Sequence, residues 1–457
     1  MNKKRSAFSG KIGYVLSAAG ASVGLGNIWR FPYLAAKYGG GIFLLVYIIL
    51  ALTFGYTMIV AESALGRMTR KSPVGAFRSF AKGKKVGWLS FGGWINAIIP
   101  VLIVPYYSVI GGWVVKYLFE YIRGNGSKLA EDGYFSGFIS NGGATEICFV
   151  IFCMFTLVII YAGVQNGIER VSKIMMPILI VLSVIIAIYS VTRPGAIEGV
   201  KYFLVPNVKN FSWMTVVAAM GQMFYSLSIA MGILVTFGSY MRKDTSIEDS
   251  TRNVEIFDTA IAMMAGLMII PAVFAFSGGD PDTLQAGPSL MFITIPKVFA
   301  NMGFGTAVGI LFFVLVLFAA VTSSIALTES AVSTFEDELG WGRKKATVLT
   351  GVIMIALGTL SCLGYGPLDF VKIIGMQFLD FFDFLTNSVM MPIAALMTSL
   401  LVSRVIGMDK IEEEIRHGES AFRRKKIFVV MIKYLCPIFA LIILASSVAN
   451  AFGWIAM

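Results

Sequence analysis

Residues Gly20-Ala21-Ser22-Val23-Gly24-Leu25-Gly26-Asn27-Ile28-Trp29-Arg30-Phe31-Pro32 set glycines, an asparagine and an arginine in the middle of the first apolar segment, where a plain membrane anchor has no use for them. The chemistry open to these types is cation binding by backbone. Helix-compatible residues lie on both sides, at 12–19 and 31–38, whereas Gly20, Gly24 and Gly26 weaken the turns between them by about 1 kcal/mol each relative to alanine. Backbone unwound inside a bilayer must find partners. Its freed carbonyls can coordinate a cation, and the N-terminus of the second half-helix can hold a carboxylate. A glycine-rich packing face is the alternative, since Gly20 and Gly24 satisfy G-x-x-x-G spacing. Packing alone does not explain Asn27 and Arg30.

Two further stretches have the same character. Gly221-Gln222-Met223-Phe224-Tyr225-Ser226-Leu227-Ser228-Ile229-Ala230-Met231-Gly232 offers hydroxyls at Ser226 and Ser228 and small residues where backbone can leave helical geometry. Ala319-Ala320-Val321-Thr322-Ser323-Ser324 puts three consecutive hydroxyls into an otherwise apolar helix. Oxygen donors suit a hard cation such as sodium, and helix-packing glue is the competing reading. Arg30, Glu62, Asp258, Glu329, Asp380 and Asp383 also fall inside or at the ends of apolar runs, where an ionisable group is a default pointer to function unless it merely pairs two helices.

The elements that must position these residues follow from composition. The 457-residue chain is 57% hydrophobic and 14% charged, far more apolar than a soluble domain, so it reads as a polytopic, all-α membrane protein. About eleven spans are predicted, near 11–36, 42–66, 88–121, 147–163, 168–191, 213–240, 256–276, 305–335, 346–362, 373–405 and 427–454. Spans one and six, the two interrupted ones, hold corresponding places in two sets of five, the pattern of an inverted-repeat transporter. The division expected is a 1–10 N-terminal segment, repeats at 11–191 and 192–405, a solvated linker at 406–426 and a last span within 427–457. A loop with its own short helix at 290–300 is expected outside.

The +11 net charge sits in short loops, where Lys and Arg act as topology determinants, so nucleic acid is not expected as a partner, nor is an obligatory protein partner. Lys3, Lys4, Arg5 and Lys11, and the cluster from Arg67 to Lys85, place the N-terminus in the cytoplasm of a cell with this protein in its inner (plasma) membrane. Eleven spans then leave the C-terminus outside. The basic start is not followed by a cleavable signal pattern and is expected to be retained. Cys148, Cys153, Cys362 and Cys436 lack C-x-x-C spacing, and the lone His417 lies in a polar loop, which argues against haem, zinc and histidine acid–base chemistry.

Asn27 with Arg30-Phe31-Pro32, Gly221-Gln222 with Ser226-Leu227-Ser228, Thr322-Ser323-Ser324, and Phe335-Glu336-Asp337-Glu338-Leu339 resemble the neurotransmitter:sodium symporters, in their bacterial LeuT-type form, over nearly the whole chain. The resemblance implies a LeuT fold with a 5+5 inverted repeat, two sodium sites, alternating access and no enzymatic activity. It implies a first sodium site at the Ser22 carbonyl, Asn27, Ser226, Asp258 and the substrate carboxylate. The second would use the carbonyls of Gly20, Val23 and Ala319 with the hydroxyls of Thr322 and Ser323. Family members often have asparagine near Asp258 together with chloride, so the fixed charge here implies that chloride is not required.

The resemblance also implies a substrate site with Ser22, Gly24, Gly26, Ile103, Tyr107, Tyr225, Ser226, Ser228, Met231, Ser323 and Leu327. Gly24 leaves room and backbone donors for a carboxylate where monoamine carriers have an aspartate, and Tyr107 would add its hydroxyl. An apolar side-chain chamber without a charge partner implies a neutral hydrophobic or aromatic L-amino acid, because a charged side chain would be buried unpaired. Ala230 departs from the glycine often found there. Arg30 and Asp383, paired directly or through water, would form the outer gate with Tyr225 as an aromatic lid, and Arg5, Ser239, Tyr240 and Asp337 the inner one. Glu329 departs from a neutral residue and is expected to join the inner gate or carry a proton. A channel would need a continuous polar path, and a membrane enzyme a nucleophile with its base; neither pattern is present. A sensor, or a carrier of another small zwitterion, would need the same pocket.

Overall fold

The computed structural model describes residues 6–81, 87–278, 287–419 and 421–454. The chain opens with two half-length helices, α1 (Lys11–Ser22) and α2 (Phe31–Lys37). Continuous helices α3 (Gly41–Thr69), α4 (Gly87–Ile122), α5 (Gly142–Tyr161) and α6 (Val164–Val191) follow. A second half-helix pair, α7 (Trp213–Ser226) and α8 (Ile233–Tyr240), precedes α9 (Ile247–Ser277) and the short apolar α10 (Leu290–Ala300). Then come α11 (Gly305–Glu338), α12 (Arg343–Leu363), α13 (Phe378–Ile406), the short α14 (Met408–Arg416) and α15 (Lys425–Ala451). Among the described residues nine continuous helices are long and apolar enough to cross a bilayer. The two half-helix pairs bring the spans to the number expected.

Burial separates the centre from the rim. The most apolar windows of α4 and α11 are 78% and 72% buried, against 39% for α5 and α6 and 33% for α15, so the first two form the core and the last three face lipid. A few helices start where a side chain satisfies free N–H groups. Ser212 Oγ accepts the Thr215 N–H at 3.2 Å while Thr215 Oγ1 accepts the Ser212 N–H at 3.2 Å, a reciprocal cap on α7 worth about 1 kcal/mol.

Three expectations need correction. The seventh span starts at Ile247, not near 256, because Ser246 Oγ caps the Asp249 N–H at 3.0 Å and the charges of that first turn are paired elsewhere in the fold. The tenth starts at Phe378, not near 373, because Ile374 (φ 53°) and Gly375 (φ 77°) turn the chain and Ile373 and Met376 exchange backbone hydrogen bonds of 2.9 and 3.0 Å. The segment 406–426 is more than a solvated linker: it contains α14, whose Ile411, Glu414 and Ile415 are buried. Its alternating charges reach partners on distant helices.

Candidate functional site

The first break is narrower than expected. Gly20 stays inside α1, and the chain leaves helical geometry at Val23 (φ −77°, ψ 93°) before a wide turn, Gly26–Arg30, leads into α2. In the second break Ser228 (φ 53°), Ala230 (φ 60°) and Gly232 (φ 70°) all take left-handed conformations. That is costly for serine and alanine. What holds it is Glu62, fully buried on α3, whose carboxylate accepts the Ala230 N–H at 2.8 Å. At Gly232 only glycine fits, since a Cβ would lie 2.6 Å from the Asn96 carbonyl oxygen.

The breaks meet. Gln222 Nε2 donates to the Gly26 carbonyl at 3.0 Å and Ser228 Oγ to the Ala21 carbonyl at 2.9 Å. Between them lies a buried polar knot. Asn27 Nδ2 donates to Asp258 Oδ1 (2.8 Å) and to Ser226 Oγ (3.0 Å), and Ser226 Oγ donates to Asp258 Oδ1 (2.7 Å). Asn27 Oδ1 accepts the Gly24 N–H at 3.2 Å. Tyr47, on α3, completes the knot by donating to Asp258 Oδ2 at 2.8 Å. Asp258 is fully buried, and among the described residues no Lys, Arg or His nitrogen lies within 4.0 Å of it. Hydroxyl oxygens around an uncompensated carboxylate, with an amide able to turn its own oxygen toward them, fit a hard cation. Among the described residues no cluster of three His, Cys, Asp or Glu side chains stands ready for a metal.

A second oxygen cluster joins α1 to α11. Ser323 Oγ lies 3.3, 3.2 and 3.4 Å from the carbonyl oxygens of Gly20, Ala21 and Val23. Of the five residues expected around one ion, Ser323 thus meets the carbonyls of Gly20 and Val23, whereas the Thr322 hydroxyl turns back along its own helix, 3.0 Å from the Phe318 carbonyl and 3.2 Å from that of Ala319.

Between the clusters is a small chamber. Ser22, Gly24, Gly26, Asn27, Ile103, Tyr107, Tyr225, Ser228, Met231, Ser323 and Leu327, with Ala21 and Leu25, line it, and its volume is about 20 Å³, room for a single water. Of the expected lining, only Ser226 stands back, in the knot. The Leu25 N–H donates to the Tyr107 hydroxyl at 3.3 Å. A Cβ on Gly24 would lie 2.6 Å from Ser323 Oγ and 3.1 Å from the Tyr107 hydroxyl, so any larger residue would push those hydroxyls aside.

On one side Tyr225 separates this chamber from a cavity of about 400 Å³ that Arg30, Tyr106, Asp380 and Asp383 help to line. Arg30 sits over the Tyr225 ring, 5.4 Å from its centroid. Arg30 and Asp383 form no direct ion pair. Asp383 Oδ1 instead accepts from Tyr106 (3.2 Å) and Asn387 (2.5 Å). At the opposite end Asp337 Oδ2 accepts the Ser72 N–H at 2.7 Å, Ser239 accepts Arg70 on its carbonyl at 3.1 Å, and Tyr240 donates to Glu329 at 2.7 Å. Glu329 also forms a two-point pair with Arg343 (3.0 and 2.5 Å). Arg5 lies outside the described residues. Tyr47, Tyr106, Asn387 and Arg343 were not foreseen. The first two are hydroxyls in apolar runs, a weak signal, and Arg343 reads as an ordinary loop cation.

Two broken helices crossing at an oxygen-lined centre define a secondary transporter. The family model for the Sodium:neurotransmitter symporter family matches residues 5–127 and 134–453, and the chain belongs to that family. It is 36% identical over 417 residues to a protein of Bacillus subtilis (strain 168) named uncharacterized sodium-dependent transporter YhdH, covering 91% of each. It is 32% identical over 459 residues to an uncharacterized sodium-dependent transporter of Haemophilus influenzae, covering 98% of this chain and 99% of that one. The crystal structure of MhsT in complex with L-phenylalanine is similar to it at a TM-score of 0.87 and 36% identity, over 97% of this chain and all of that one. The chain is a multi-pass, sodium-coupled transporter with the LeuT fold.

Proposed function

We propose that the protein imports a neutral hydrophobic or aromatic L-amino acid together with two sodium ions and without chloride, by alternating access. In this reading the Asp258 knot, with the Ser22 carbonyl, holds the first ion, and Gly20, Val23, Ala319, Thr322 and Ser323 hold the second. The observation that carries it is the uncompensated Asp258 carboxylate, bridged to both breaks by Asn27 and Ser226 beside a closed chamber. A cation entering the knot supplies the missing charge. Asn27 must then turn its amide so that Oδ1, not Nδ2, faces the ion. The fixed negative charge makes a companion chloride superfluous.

The substrate reading rests on the chamber. Its lining includes Ile103, Met231 and Leu327 but no charged side chain. A zwitterion can place its carboxylate against the Tyr107 hydroxyl and the Gly24 and Leu25 N–H groups, taking over the bonds these now give to Asn27 and Tyr107, while its side chain takes the apolar wall. At about 20 Å³ the chamber holds no amino acid as it stands, so Tyr225 and the flexible Met231 must move aside on binding. The L-phenylalanine bound to MhsT is in keeping with this class. We place the Arg30 and Asp383 end outside, with Tyr225 as the lid, and the Tyr240 and Asp337 end inside. Residues 11–191 and 192–405 are then the two repeats, in an inner (plasma) membrane with the N-terminus cytoplasmic and the C-terminus outside. Each sodium charge moved inward gains about 2.3 kcal/mol per 100 mV, enough for one or two ions to drive strong accumulation.

Uptake of a panel of radiolabelled amino acids into proteoliposomes, with an inward sodium gradient in chloride or gluconate, tests this reading. Sodium-dependent accumulation of leucine- or phenylalanine-like substrates, equal in both anions, is expected. Preference for a charged amino acid or a monoamine overturns the substrate class, and binding without flux makes the protein a sensor.

A further inference from the structure

We infer that Glu414, with Arg67 and Lys243, is a latch that holds the Tyr240 end of the transporter closed and ties it to the helix carrying Asp383; this rests on the alternating-access reading above. Arg67, at the end of α3, is wholly buried. Its Nε lies 2.6 Å from Glu414 Oε1, its Nη1 donates to the Thr245 carbonyl at 2.5 Å, and its Nη2 donates to the Glu414 carbonyl. Lys243 Nζ meets the other carboxylate oxygen at 2.6 Å. Lys243 and Thr245 belong to the turn that leaves α8. One carboxylate on α14 thus grips the end of α3 and the exit of α8 together.

The surrounding fold makes this grip mechanical. α3 and α8 pack backbone to backbone: a Cβ on Gly66 would lie 2.0 Å from the Val235 carbonyl oxygen, and one on Gly238 2.5 Å from that of Ser63. They can therefore move only as a pair. A second tie lies alongside. Glu248 on α9 accepts the Arg423 and Arg424 N–H groups, both at 2.9 Å, and Tyr56 of α3 at 3.1 Å. Arg424 pairs with Glu255 at 2.9 Å and covers the Tyr56 ring at 3.7 Å. α14 follows α13 through Gly407 alone, so Glu414 is held within three turns of the end of the helix that begins near Asp383. Parting Arg67 from Glu414 would leave the wholly buried guanidinium uncompensated and the carboxylate with only the half-exposed Lys243, which keeps the latch shut until a competing interaction is gained. Glu414 is in this sense a positioning residue for the inner gate.

Hydrogen exchange of the full-length protein in lipid nanodiscs, with sodium or with potassium, tests the latch without any substrate. In the unmutated protein sodium should slow exchange in α1 and α8. Glu414→Gln should raise exchange there tenfold or more in sodium while leaving α5 and α12 as they were. It should also weaken apparent binding of radiolabelled sodium about threefold, because less protein occupies the competent state. The double variant Arg67→Met with Glu414→Met buries no lone charge, so it keeps the fold yet should show the same local rise. A wild-type pattern in the double variant, or an equal rise in every helix, overturns the latch. No sodium effect in the unmutated protein overturns the alternating-access reading as well.

Discussion

Asn27, in the first break, donates its side-chain amide to Asp258 on α9 at 2.8 Å, so the unwound part of one helix is held by the only carboxylate in the polar knot. The same amide touches Ser226 at the edge of the second break. Whatever displaces that N–H from the carboxylate must act on both breaks together, and a sodium ion does so with the right charge. By linkage, an ion and a substrate that complete one site each raise the other's affinity by the same factor.

Asp258→Asn should keep the hydrogen-bond geometry and remove the charge. Half-saturating sodium should rise tenfold or more, equivalent to about 1.4 kcal/mol. Chloride should then stimulate transport, since an anion is needed to restore the lost charge. Sodium titrations of uptake in chloride and in gluconate measure both effects; unchanged sodium affinity would mean that the knot does not hold the ion.

Tyr47→Phe should separate the knot's structural and ionic roles. Removing the hydroxyl leaves Asp258 Oδ2 without its 2.8 Å donor, at a cost of about 1–3 kcal/mol for a buried group. Sodium can replace that donor. The melting temperature should therefore fall in potassium and recover largely in sodium, widening the gap between the two buffers; an equal fall in both would place Tyr47 in the packing alone.

Local pattern carried the first break into view because glycine, asparagine and arginine are out of place in an apolar span. It carried the spans themselves for the same reason, since lipid imposes a length and a composition. The left-handed Ala230 was not legible: its conformation is stabilised by Glu62, 168 residues earlier in the chain. Nor was Arg67 with Glu414, where each charge in isolation reads as a loop residue and only tertiary packing buries them. The start of α9 was hidden for a related reason, because its first turn is charged and the partners of those charges lie on α1 for Asp249 and beyond α14 for Glu248. Arg30 and Asp383 line one cavity as expected of them, but the hydrogen bonds of Asp383 to Asn387 and Tyr106 were hidden, because periodicity does not single those neighbours out.

Gly26→Ala should block the lid. A Cβ there would lie 2.3 Å from Tyr225 Cδ1, so the ring must leave its place between the chamber and the cavity beyond it. Uptake should drop at least tenfold with the protein still folded. Gly221→Ala is the matched control: nothing lies within 4 Å of its Cβ, and in a helix the change should be neutral or stabilising by up to about 1 kcal/mol. Equal activity in both variants would remove Tyr225 from the gate.

Glu329 and Arg343 should respond unequally to neutralisation, which tells a gate from a simple pair. Glu329 is wholly buried, with Arg343 and Tyr240 as its partners, whereas the Arg343 side chain is 18% exposed and also donates to the Ile160 carbonyl at 2.8 Å. Arg343→Gln strands a buried carboxylate and should destabilise the protein by about 3–5 kcal/mol. Glu329→Gln leaves a cation that can still reach water and a carbonyl, so its stability cost should be much smaller. Its effect should instead appear at Tyr240, whose 2.7 Å bond to a carboxylate is exchanged for a weaker one to an amide oxygen. Faster sodium efflux from loaded proteoliposomes is then expected from Glu329→Gln, together with an altered pH dependence of uptake. If efflux and the pH profile both matched the unmutated protein, Glu329 would have no part in closing that end, and the cost of burying it would need another explanation.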